Sequence, residues 1–180
     1  MRILKKNTGA IIVDVQERLV PHIYKNEELI NNLERLIKGL KVLEIPTVVA
    51  EQYTKGLGFT VEGIHKALGK YKSIEKTSFS CCDNGSIKDR LSELNKKWVI
   101  VAGIEAHICV LQTVVDLVDI GYIPVLIEDC VSSRKENDKN IAIERMKSEG
   151  AMIATYESIL FELCRHSGTS EFKAISQLVK

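Results

Sequence analysis

The chain alternates short apolar runs with longer segments in which apolar residues return every three or four positions. Gly9-Ala10-Ile11-Ile12-Val13-Asp14-Val15-Gln16 is nearly continuous in apolar residues up to Asp14, the pattern of a strand buried on both faces of a parallel sheet. Leu29, Ile30, Leu33, Leu36, Ile37, Leu40 and Leu43 then repeat at helical spacing. Asn26 stands before them as the N-cap candidate, with Glu27 and Glu28 in the first turn. Residues 46–51 predict a second strand, opened by Pro46, and 52–58 a glycine-bearing loop. A short helix is expected over 61–68. A third strand over 71–76 is less apolar and belongs near the sheet edge.

Residues 77–85 read as irregular, and 86–94 as a helix capped by Ser86. The run 97–103 predicts a fourth strand, and 106–120 a helix stopped by Gly121. A fifth strand over 122–128, a polar loop over 129–134 and a helix over 137–150 follow. A sixth strand over 151–155 and two helices, 156–164 and 170–179, complete the series. Strands alternating with helices imply right-handed crossovers. The expectation is one three-layer α/β/α domain over 1–180, with a Rossmann-like parallel six-stranded sheet and helices on both faces.

Composition narrows this picture. At 180 residues, with 45% apolar and 27% charged, the chain can bury a core without staples. A formal net charge of +1 excludes nucleic-acid or membrane-surface binding driven by bulk electrostatics. The first residues lack the apolar core of a secretory signal, and no apolar run reaches a membrane span. The cysteines are Cys81, Cys82, Cys109, Cys130 and Cys164. They are odd in number and contain no C-x-x-C, so a reduced, cytoplasmic protein is expected. The glycines of 52–58 form neither a G-x-G-x-x-G nor a P-loop, so no phosphate cradle is read there.

Three residues fall at or just past strand C-termini: Asp14, Lys76 and Cys109. In open α/β sheets that edge holds the ligand crevice, so the three should converge. Together they make chemical sense. A thiol needs help to become a thiolate, a carboxylate can take its proton, and an ammonium can hold that carboxylate charged. A helix start under Cys109 adds partial positive charge. Taken singly, Cys109 also reads as packing, Asp14 as a turn residue and Lys76 as a solvated side chain.

The run Gly103-Ile104-Glu105-Ala106-His107-Ile108-Cys109-Val110 resembles the nucleophile motif of the isochorismatase-like cysteine hydrolases. Asp14 within Ile12-Val13-Asp14-Val15-Gln16 resembles their acid after the first strand, and Lys76 within Glu75-Lys76-Thr77-Ser78-Phe79-Ser80 their lysine. The similarity covers nearly the whole chain in order and spacing. The loop 51–58 resembles that of a short, single-domain branch of unassigned substrate.

The resemblance implies an Asp14-Lys76-Cys109 triad in a hydrolase that cleaves a small amide, carbamoyl or related carbonyl compound through an acyl-enzyme. It further implies a non-proline cis peptide at Ile104–Glu105, and an oxyanion hole from the backbone N–H groups of Glu105 and Cys109. It implies a homo-oligomer, a dimer or higher, acting on a small molecule. Nicotinamidases of the family hold a metal through an Asp and two His after the second strand. This chain has Glu51-Gln52-Tyr53 there and no histidine between His22 and His65, so no metal and no other cofactor is expected. Isochorismatases proper lack the cysteine that is present here.

Gln16, Arg18, Tyr53 and His107 are candidate pocket residues by position, and surface or structural residues on the plainer reading. Cys81, Cys82, Cys130 and Cys164 receive no role. Two other functions remain open on sequence: a non-catalytic ligand-binding or scaffold homologue, and a redox-responsive thiol protein pairing Cys109 with Cys81 or Cys82.

Overall fold

A computed structural model describes residues 2–180. Six parallel strands lie in the order β3-β2-β1-β4-β5-β6: β1 Thr8–Val13, β2 Thr47–Gln52, β3 Ser73–Lys76, β4 Trp98–Ile104, β5 Ile123–Ser132 and β6 Met152–Ala154. The helices are α1 Asn26–Val42, α2 Thr54–Leu57, α3 Glu62–Leu68, α4 Gly85–Leu94, α5 Leu111–Asp119, α6 Glu136–Ser148, α7 Tyr156–Cys164 and α8 Ser170–Leu178. The expected three-layer α/β class, with six parallel strands, is what forms.

The two-residue period of a strand divides the core. Ala10 and Ile12 of β1 pack with Leu33, Leu36 and Leu40 of α1, Ile64 of α3 and Leu160 of α7. Ile11 and Val13 face the other way, onto Ile87 and Leu91 of α4 and Val114 and Leu117 of α5. Every residue of β1 and β4 is buried, which is why those runs carry no polar alternation. β3 lies at the edge, as its weaker apolar pattern predicts.

Several boundaries differ from expectation for local reasons. Asn26 is the first helical residue, not the cap. Lys25 before it is left-handed (φ 51°) and makes no side-chain cap, while Asn26 Nδ2 donates to Val20 O at 3.1 Å. Asn84, not Ser86, caps α4 by accepting the Ile87 N–H at 3.1 Å. β5 runs on to Ser132 through the expected polar loop, because a register shift lets Val131 and Ser132 pair with Gly103 and Ile104. The helix expected over 106–120 is divided. A wide π turn, Ala106–Val110, precedes α5.

At Gly103, φ is +125°, and a Cβ there would collide with the backbone carbonyl of Val13 on β1. Only glycine lets β4 approach β1 so closely at the point where the chain turns toward Cys109.

Candidate active site

Asp14 follows the last residue of β1 and takes a left-handed conformation (φ 52°), which a short polar side chain tolerates. Its N–H continues the ladder to Ala50 O at 3.1 Å, and its carbonyl accepts the Gln16 N–H at 2.8 Å. Lys76 closes β3. Since β2 lies between β1 and β3, the ammonium must cross β2, a span of roughly 9–10 Å between outer strands. It does so along a buried stem. Lys76 Nζ reaches Asp14 Oδ2 at 2.6 Å, and both side chains are fully buried.

The same ammonium donates to Gln52 Oε1 at 2.6 Å and to the carbonyls of Ser78 and Phe79 at 3.2 Å each. An ammonium has three protons, so these four acceptors consume it. Asp14 Oδ1 has no nitrogen or oxygen partner among the described residues. The polar group left facing the carboxyl is the thiol of Cys109, which interacts with it.

Cys109 is 8% exposed and sits on the π turn. The turn is anchored by Glu105 O, which accepts the N–H of Ile108 at 3.1 Å and of Val110 at 3.2 Å. Wide turns of this kind recur at functional sites. Thr113 Oγ1 donates to Cys109 O at 2.7 Å and accepts the Cys81 N–H at 2.9 Å. The Ile104–Glu105 peptide bond is cis.

Burial raises the Asp14 carboxyl above its ordinary value, against the opposing charge of Lys76. The Cys109 thiol is also raised, first by burial and then by the Asp14 charge, with Lys76 opposing. Low dielectric and an adjacent carboxylate both favour the protonated thiol, against the partial charge of the turn. Burial pushes Cys81 up to about 12 and Cys82 up to about 11. All five cysteines are free.

The remaining sequence candidates lie around this cluster in different ways. Gln16 is buried and committed to backbone: Nε2 donates to Gln52 O at 2.9 Å and Gly58 O at 2.7 Å, and Oε1 accepts the Gln52 N–H at 2.7 Å. Arg18 is exposed, with Nη1 on Gly56 O at 2.8 Å. Tyr53 is 50% exposed. His107 Nδ1 meets Ser133 Oγ at 2.8 Å. Glu105 Oε2 accepts Arg134 N at 3.2 Å and Arg134 Nε at 3.0 Å.

Gln52, Ser133 and Arg134 escaped the sequence reading. For Gln52 a signal existed, since it is the strand-end neighbour of Lys76 in the β2–β3 register. Glu51 is buried and accepts Thr60 N at 2.8 Å and Thr60 Oγ1 at 2.6 Å. Among the described residues no three His, Cys, Asp or Glu side chains gather as metal ligands, and no helix is long and apolar enough to cross a membrane.

Comparison with known proteins matches residues 8–158 to the isochorismatase domain. The chain belongs to the isochorismatase family. Isochorismatase family protein 1B of Dictyostelium discoideum is 36% identical over 184 residues, covering 99% of this chain and 89% of that protein. Among solved structures, that of the MAR1 ribonuclease from Caenorhabditis elegans superposes with a TM-score of 0.93 at 37% identity, covering 99% of this chain and 92% of that one. The YcaC gene product of Escherichia coli, an octameric hydrolase of unknown specificity, has the same fold. Its TM-score is 0.93 at 21% identity, over 99% of this chain and 89% of that one. The isochorismatase-family fold supports a hydrolase of this superfamily.

Proposed function

We propose that the protein is a cysteine hydrolase that cleaves a small amide, carbamoyl or related carbonyl compound through a covalent intermediate on Cys109. The observation that carries this reading is the buried Asp14 carboxyl, held by Lys76 on one oxygen and facing the Cys109 thiol.

In this reading the thiol is neutral at rest. As a carbonyl carbon reaches sulfur, Asp14 takes the thiol proton and the C–S bond forms. The carbonyl electron pair moves onto oxygen, where the N–H groups of Glu105 and Cys109 receive it. Asp14 then returns the proton to the leaving nitrogen, the C–N bond breaks, and a thioester remains. Water attacks that thioester, Asp14 takes the water's proton, and the thiol leaves reprotonated. Lys76 touches no substrate; its hydrogen bonds hold Asp14 in place.

Burial raises the thiols of Cys81 and Cys82, which disfavours a redox pairing with Cys109, since exchange needs an accessible thiolate; the hydrolytic route supplies Cys109 with a base in Asp14. A homo-oligomer is part of the proposal. The octameric relative supports it, as do Tyr53, Phe59 and Phe79, which are 50%, 65% and 56% exposed on the loops after β2 and β3.

The test is a panel of small amides and carbamoyl compounds, with an RNA substrate included because of the nematode neighbour's name, read by product release and by intact mass. An acyl adduct on Cys109, with turnover lost in Cys109→Ala, is expected. Full turnover in Cys109→Ala would exclude the covalent route, and tight binding without turnover would assign a ligand-binding homologue instead.

A further inference from the structure

Residues 77–83 leave β3 just past Lys76 and settle on α5, the helix that continues the Cys109 turn. Two contacts, one helical turn apart on α5, hold them there. Thr113 Oγ1 accepts the Cys81 N–H at 2.9 Å, and Ser80 Oγ donates to Asp116 Oδ2. Ser80 Oγ also accepts the Cys82 N–H at 3.1 Å. Earlier in the same segment, the carbonyls of Ser78 and Phe79 receive the Lys76 ammonium at 3.2 Å each.

Thr113 differs from Asp116 in what else it touches. Its Oγ1 donates to Cys109 O at 2.7 Å, the carbonyl of the residue that carries the thiol. A hydroxyl has one proton and two lone pairs. Here the proton is committed to the nucleophile turn and a lone pair to the lysine segment. A threonine on a helix commonly bonds the carbonyl four residues back. The second bond, to a backbone N–H 32 residues away in sequence, is no part of that habit. Thr113 and Cys81 are both fully buried, so bulk water does not compete for these bonds.

The two sides of the site are thereby joined. From the Cys109 carbonyl the path runs through the Thr113 hydroxyl to the Cys81 N–H, and two residues back along the chain to the Phe79 carbonyl. There it meets the Lys76 ammonium, which ends on Asp14 Oδ2.

We propose that Thr113 is a positioning residue, whose hydroxyl fixes the Cys109 thiol against the Asp14 carboxyl by tying the nucleophile turn to the segment that holds Lys76. It acts through Cys109 and Lys76, not on the substrate. The inference rests on the cysteine-hydrolase reading and adds a part outside the triad.

A double-mutant cycle read by alkylation tests this without turnover. The rate at which iodoacetamide modifies the Cys109 peptide is measured by mass at one pH, in the full-length protein and in Asp14→Asn, then in both with Thr113→Val. Removing the Asp14 charge should speed alkylation on the order of tenfold in the parent. Thr113→Val keeps the shape of the side chain and loses the hydroxyl. In that background the acceleration should shrink at least about threefold, beyond the roughly twofold scatter of independent sites. Thr113→Ser, which keeps the hydroxyl and loses the methyl, should restore the parent value. Thermal melts check folding. If Thr113→Val does not fold, Thr113→Ala, which sets no methyl against the Cys81 N–H, takes its place.

An acceleration unchanged in Thr113→Val, or reduced as much in Thr113→Ser, makes the residue a packing element and overturns the proposal. So does a parent in which Asp14→Asn leaves alkylation unaltered, since no influence is then there to position. Coupling through Thr113 in a protein that forms no acyl adduct would retain the positioning role and reject the hydrolase. An acyl adduct on Cys109 with no such coupling would do the reverse.

Discussion

Lys76 Nζ lies as close to Gln52 Oε1 as to Asp14 Oδ2, 2.6 Å from each. Gln52 cannot turn its amide over, because Nε2 donates to Thr77 O at 2.8 Å. Its main chain is clamped in turn by Gln16. The two glutamines therefore aim the ammonium, and the ammonium aims the carboxylate. Gln52→Leu should lower kcat/KM on the order of a hundredfold, the usual cost of a small misplacement at a reacting centre. Gln52→Glu should keep Lys76 bonded but set a second negative charge near Asp14, moving the acid limb of kcat/KM to higher pH. A pH–rate profile of both variants distinguishes aiming from mere support.

Asp14→Asn should separate two effects of one carboxylate. Turnover should fall on the order of 10²- to 10⁴-fold, the range for a general base. Cys109 should nonetheless alkylate faster at a fixed pH. After burial, the Asp14 charge is the next largest influence that keeps the thiol protonated, and the variant leaves only Lys76 beside it. Iodoacetamide labelling of the Cys109 peptide reads this directly, and slower labelling would contradict the electrostatic account.

The pH dependence of turnover follows from the same raised groups. Asp14 must be ionised to accept the thiol proton, and burial raises it above its reference value of 3.8. Activity should therefore rise with pH through a midpoint above the ordinary carboxylate range. Cys109 begins as a thiol, so no loss of activity toward neutral pH is expected from its titration. The profile of kcat/KM in the free enzyme provides the measurement.

Gly103→Ala should destabilise the fold by about 3 kcal/mol or more, since the backbone is left-handed there and the carbonyl of Val13 fills the space of a Cβ. A melt should show Tm lower by roughly 10 °C. An unchanged Tm would mean that β4 can stand off from β1 at no cost.

The architecture was legible because periodicity and burial coincide. β1 and β4 are buried on both faces and read as unbroken apolar runs, and α1 shows its apolar stripe. Caps were less legible. Asn26 and Asn84 are both asparagines at helix starts, yet one donates to an upstream carbonyl and the other accepts a helix N–H. Only the path of the preceding loop decides which. The convergence of Asp14 and Lys76 followed from strand ends alone. Gln52 also stands at a strand end, yet it reads as an ordinary polar residue, because its part is played only through Lys76 on the neighbouring strand. The raised Cys109 thiol was not legible either: the turn it sits on is local, but the burial and the carboxylate that act on it are not.

Lys76 belongs to the edge strand, four residues long and paired to β2 alone. Subglobal opening of such a strand costs less free energy than global unfolding. Each opening would withdraw the ammonium from Asp14 while β1 and β4 stay closed. Catalytic competence should thus be lost before the fold is. In a urea titration activity should disappear ahead of the fluorescence change of Trp98, the sole tryptophan, buried in β4. Anything that adds to the free side of β3 would set the working lifetime of the site without touching it.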